Sequence, residues 1–144
     1  MSALSDYTEN KLIDHLFRAT SFTAPAALHV ALFTAAPSDS GGGTEVTGGS
    51  YARAALAPSV SNWKSTNGTT SGASSGTGGQ TSNAVAITFP APTANWGTVS
   101  HFAIFDASTA GNMLVWAALT ASKTINNGDA APSFAVDALT VTLA

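Results

Sequence analysis

Few side chains in this 144-residue chain could do chemistry: three histidines (His15, His29, His101), eight Asp or Glu residues, and no cysteine. A hydrolytic triad needs a nucleophile, a base and an orienting carboxylate in contact. Ser100 and His101 are adjacent and Asp106 follows on the same stretch. The odd separation of His101 from Asp106 sends them to opposite faces of a regular strand. The expected state is a strand histidine satisfied by backbone or water, with no catalytic residue. Zinc wants three or four His, Cys or carboxylate ligands, and no two of these histidines stand at helical or hairpin spacing. Asp39 and Glu45 flank Gly41-Gly42-Gly43 but lack the alternating Asp/Asn ligands of a calcium loop. The same glycines lack the strand-to-helix setting of a phosphate cradle. The acids fall mostly in turns and in the N-terminal segment, so no pair is singled out for glycosidase work. The reading is a non-enzyme without metal or cofactor.

Charge excludes further classes. Only 9% of the residues are charged, against ~25% in ordinary domains. Tight nucleic-acid binding needs clustered cations, and Lys11, Arg18, Arg53, Lys64 and Lys123 are scattered. Neither nucleic acid nor an anionic membrane surface is an expected partner. No stretch approaches the ~20 apolar residues of a membrane helix. Ser5-Asp6-Tyr7-Thr8-Glu9 is unlike a secretory start. A surface so poor in charge suits a protein packed against neighbours, or a neutral Ser/Thr exterior.

The length fits one domain, residues 1–144. A helix is predicted over 5–19, capped by Ser5 or Asp6, with Asp6 and Glu9 at capping-box spacing. Leu12, Ile13, Leu16 and Phe17 give it an apolar stripe that either closes one end of the fold or docks on a neighbouring subunit. Asp14 and Arg18 are spaced to pair. Thereafter about eight short strands are expected: 28–33, 51–57, 85–89, 98–106, 113–119, 123–126, 133–136 and 139–143. Turn signals separate them, Asn126-Asn127-Gly128-Asp129 the strongest. Residues 64–82 are a Ser/Gly tract with no apolar side chain larger than alanine, hence a long surface loop. The fold class is all-β: a β-sandwich or jelly-roll-like domain with one N-terminal α-helix. Trp116 belongs to the core. Trp96 reads equally as a core lid or an interface anchor, and Trp63 borders the tract and anchors its start.

Several stretches then carry a resemblance. Leu4-Ser5-Asp6-Tyr7-Thr8-Glu9-Asn10-Lys11-Leu12-Ile13-Asp14-His15-Leu16-Phe17, Leu28-His29-Val30-Ala31-Leu32-Phe33-Thr34-Ala35-Ala36-Pro37 and Gly48-Gly49-Ser50-Tyr51-Ala52-Arg53 come first. Ala86-Ile87-Thr88-Phe89-Pro90, Asn95-Trp96-Gly97 through Asp106, and Gly111-Asn112-Met113-Leu114-Val115-Trp116 follow. As an ordered set they resemble a family of small tailed-bacteriophage virion structural proteins, often labelled tail fibre proteins and comparable to head cement or decoration proteins. The resemblance skips residues 58–84. It implies a capsid cement protein in the virion, made in the host cytoplasm, that binds the major capsid protein lattice and itself as a homodimer or homotrimer. The alternative is a tail fibre or tail-tip component that binds a host receptor. Candidate interface residues are Leu12, Leu16, Phe17, Gly42, Trp63 and Trp96.

Overall fold

A computed structural model describes residues 2–143. The elements run β1 (Ser2–Leu4), α1 (Asp6–Phe17), β2 (Leu28–Ala35), β3 (Thr44–Glu45), β4 (Ala54–Leu56), β5 (Gln80–Ser82), β6 (Ile87–Thr88), β7 (Gly97–Phe105), β8 (Met113–Ile125), β9 (Ser133–Phe134) and β10 (Thr140–Thr142). The fold is an all-β, sandwich-like arrangement with one N-terminal helix. One layer is a six-stranded antiparallel sheet in the order β1-β8-β7-β2-β3, with β4 also paired to β2. The other consists of two ribbons, β5 with β10 and β6 with β9.

Alternation along the three long strands divides the large sheet into two faces. Register places Val30 beside Ile104 and Val115, and Leu32 beside Phe102 and Ala117. These residues meet Ile87, Phe89, Leu139 and Val141 from the ribbon side to form the main core. On the opposite face Ala31, Phe33, Ala103 and Met113 make a second, smaller core. Both faces of β2 are therefore apolar, as a central strand requires.

Several strands differ from expectation. Segments 113–119 and 123–126 are one strand, because a bulge carries the chain through the Thr-Ala-Ser gap between them. His101 pairs with Ala118 but Val99 already pairs with Lys123. β1, β3 and β5 were not foreseen; each is two or three residues long and is held by main-chain pairing that leaves no pattern in side-chain type. Gln80–Ser82, placed in the 64–82 loop, forms β5. Residues 67–78 are exposed and the tract is held partly by its own bonds: the Gly76 N–H donates to Thr66 Oγ1 (2.9 Å), and Asn67 Nδ2 donates to Ser75 Oγ (3.0 Å).

The helix is two residues shorter at its C-terminal end than predicted and starts at Asp6. Ser5 is the cap, accepting the Thr8 N–H. Ala19 turns into the left-handed region (φ 56°), and the Thr20 N–H reaches back to the Asp14 carbonyl at 3.1 Å. Arg18 pairs with Asp14 at 2.9 Å on an exposed face, which adds little stability.

Candidate interaction surface

α1 is fastened by its first turn only. Ser5 is buried; its N–H donates to the Leu114 carbonyl (3.1 Å) and its Oγ to the Met113 carbonyl. Thr8 is buried beside it, and the Asp6 N–H donates to the Asp39 carbonyl at 2.9 Å. Beyond that turn most of its side chains are exposed. Ile13 is 52% exposed, Leu16 69% and Phe17 81%, whereas Leu12 is half-buried. The stripe read from the sequence is thus split, with three of its members facing outward. A twelve-residue helix is marginal in isolation, and burying three such side chains on a neighbour would be worth roughly 3–6 kcal/mol.

Beside the helix start lies a shallow polar bowl of about 530 Å³, lined by Asp6, Tyr7, Asp39, Glu45, Arg53 and the glycine turn. Gly42 is exposed on its rim. The bowl is floored by an ion-pair knot. Arg53 donates from Nε and Nη2 to the two Glu45 oxygens (2.8 Å each), and from Nη1 to the carbonyls of Ala107 (2.9 Å) and Ala110 (2.8 Å). Its guanidinium lies 3.6 Å from the Phe105 ring centroid, and Phe105 stacks on Phe33 at 6.4 Å. Glu45 also accepts the Tyr51 hydroxyl (3.0 Å), which in turn accepts the Leu32 N–H (3.0 Å). Burial pushes the Tyr51 phenol well above its ordinary value, and the Glu45 carboxylate adds to this.

Every donor and acceptor named here is tied to backbone or to a second side chain, so the knot is built to hold loops together. It fastens β3, the approach to β4 and the β7–β8 turn across the second core. Sequence reasoning misses it, since the pattern links Glu45 only with Asp39, as a pair of weak calcium candidates. Asp39 instead accepts the Trp116 indole N–H at 3.0 Å.

The tryptophans differ in burial: Trp63 and Trp116 are half-buried and Trp96 is buried. Trp96 is 5% exposed, donates from Nε1 to the Gly49 carbonyl (3.0 Å) and packs edge-on against Tyr51 at 5.2 Å. Its two readings resolve to the core lid, and it presents no ring to a neighbour. Trp63 is half-buried against the main core and bridges to Asn83 at the start of the tract. The structure therefore brings Leu16, Phe17 and Gly42 to the surface and withdraws Trp96.

His101 Nδ1 is 2.8 Å from Ser100 Oγ, and both Asp106 oxygens are occupied by Asn112 (2.7 Å each). Among the described residues no three His, Asp or Glu side chains gather as metal ligands would. Among the described residues no helix is long and apolar enough to cross a membrane.

A helix with outward apolar side chains, an exterior poor in charge and loops locked by one half-buried ion pair describe a building block. Residues 3–142 match the family described as Podophage GP4 fiber I protein gp80. The chain belongs to this family of phage fibre proteins. No curated protein matches the chain. For this fiber I family member the match spans almost the whole sequence, including the 58–84 stretch that the motif-by-motif resemblance had skipped. It supports a structural protein of the phage virion.

Proposed function

We propose that the protein is a non-enzymatic subunit of a podophage fibre, joined to its neighbours through the exposed face of α1. The family description, which names a fibre protein, carries this reading. It weighs for the fibre component over head cement on the capsid lattice. The helix supports it: a projecting amphipathic segment that exposes Phe17, Leu16 and Ile13 gains stability only when a second surface covers it. Self-association into a dimer or trimer is the simplest way to supply that surface. No chemistry is assigned; His101 bonds to Ser100 and Asp106 to Asn112.

Gold-labelled antibody on intact virions, together with copy number against the major capsid protein, tests the location. The fibre reading expects label at the tail and at most some dozens of copies. Label over the whole head, with copies near the number of capsid subunits, would return the protein to cement. In the same experiment Leu16→Asp with Phe17→Asp should keep the β circular-dichroism spectrum of the isolated protein and abolish its incorporation into particles.

A further inference from the structure

The two layers of the sandwich do not close on each other along one side. Between the large sheet and the ribbons, below the bulged half of β8, lies a cavity of about 580 Å³. Its inner wall is made of Leu32, Phe89, Val99, Phe102 and Ile125, each no more than 4% exposed. Thr120, Ser133 and Thr140 stand at its rim. No acid lines it, and among the described residues its one charged side chain is Lys123.

Lys123 is unusual in two ways. It pairs across the ladder with Val99, a core residue 1% exposed, and partners directly opposite on adjacent strands share a face. The ammonium stem therefore rises from the sandwich side of β8, over the cavity. The other four cations are engaged: Lys11 over the Tyr7 ring, Arg18 with Asp14, Arg53 with Glu45, and Lys64 with Asp137. Lys123 has no acid or hydrogen-bond acceptor against it among the described residues. An apolar chamber of ligand-site size with a few convergent polar groups is the usual form of a small-molecule site. A dry wall of Leu, Ile, Val and Phe takes apolar guests.

We propose that this cavity is a binding site for a single-chain amphiphile, with an acyl-type tail against Phe89, Phe102 and Ile125 and an anionic head on Lys123 and the rim hydroxyls. The head is anionic because the mouth holds one uncompensated positive charge and no negative one.

The probe is monomeric decanoate, followed by calorimetry and by methyl NMR of the whole chain, with decyltrimethylammonium as the opposite-charge control. Expected are saturable one-to-one binding of decanoate, shifts at the methyls of Leu32, Val99 and Ile125, and weaker binding of the cation. Lys123→Gln should weaken decanoate about three- to fivefold, the range of an exposed ion pair. Ala121→Trp, which fills the mouth, should abolish binding; the wild-type methyl shifts stand as an independent readout should that variant not fold. Vesicles of phosphatidylglycerol separate the sources of the ligand: co-sedimentation marks bilayer lipid, and decanoate binding without it marks a free amphiphile, the site standing in either case. Absence of saturable binding, equal affinity for both head groups, or unmoved cavity methyls would overturn the proposal and leave the fibre reading untouched. If Lys123→Gln changed only self-association, Lys123 would be a guard on an open strand edge and the head-group assignment would fall.

Discussion

Asn83→Ala should be among the most damaging single substitutions in this protein. Asn83 is completely buried, yet its side chain is fully employed. Nδ2 donates to the carbonyls of Val85 and Ala135 (2.8 Å each), and Oδ1 accepts the Leu139 N–H at 2.9 Å. Its own backbone N–H donates to the Leu139 carbonyl and its carbonyl accepts the Asp137 N–H. One residue thus ties the β5–β6 connection to the β9–β10 connection, and so holds both ribbons over the large sheet. Alanine leaves the Val85 carbonyl and the Leu139 N–H without partners, while the Ala135 carbonyl keeps the Ala138 N–H at 3.0 Å. The Leu139 N–H is the costly one, because Leu139 is 0% exposed and water cannot replace the amide there. At roughly 1–3 kcal/mol for a buried orphan, with a smaller share for the Val85 carbonyl nearer the surface, the loss is about 3 kcal/mol. For a chain of this size that lowers Tm by about 6–12 °C. Urea and thermal unfolding followed by circular dichroism measure it. Asn83→Asp sharpens the test. It keeps the acceptor for Leu139 but sets an oxygen against the Val85 and Ala135 carbonyls, so the folded state favours the protonated acid. That raises the folded pKa above the unfolded one, and the stability it supplies is present at low pH and lost as pH rises. N83D should therefore approach the wild type in acid and fall below N83A at neutral pH. A loss under about 1 kcal/mol for N83A, or a flat pH response for N83D, would refute the reasoning.

Other outcomes follow from the ion-pair knot and the turn beside it. Arg53→Met strands Glu45 and two carbonyls and should cost about 3–5 kcal/mol in denaturant titration, whereas Arg53→Lys should recover only part, since an ammonium cannot span both Glu45 oxygens. Tyr51 holds its proton more tightly folded than unfolded, chiefly through burial; its contribution is complete below the ordinary phenol value of 10.0 and is lost as pH rises beyond it. Tyr51→Phe should abolish that alkaline limb in Tm against pH, while lowering neutral-pH stability by about 1–3 kcal/mol through the orphaned Leu32 N–H. Gly111→Ala should cost about 1–3 kcal/mol by thermal unfolding, because Gly111 sits at φ 74° and an added Cβ would lie 2.6 Å from Asp106 Oδ1 and from Ala107 Cβ.

Side-chain type along the chain determined much of this protein before any fold was considered. Val30 and Leu32 alternating with Ala31 and Phe33 read as a strand apolar on both faces, and Ser5 or Asp6 followed by Leu12 and Leu16 read as a capped amphipathic helix. The scarcity of charge and the absence of clustered ligands pointed to a surface made for contact, and the ordered motifs pointed to a phage virion. What tertiary structure decided was everything that depends on residues far apart in the chain. Whether Trp96 lids the core or anchors an interface turned on the Gly49 carbonyl and the Tyr51 ring, which nothing near Trp96 in sequence announces. Leu12, Leu16 and Phe17 form one stripe as a helical pattern, but only the pinning of Ser5 to β8 determines that two of them are exposed. Arg53, Glu45 and Phe105 look like isolated residues until the two-residue strand β3 and the β7–β8 turn bring them together, and Lys123 gains its place over a cavity from a bulge. Periodicity is a local consequence of backbone geometry and is therefore written in the sequence. Long-range pairing is set by which surfaces bury one another, and that is fixed only when the whole chain folds.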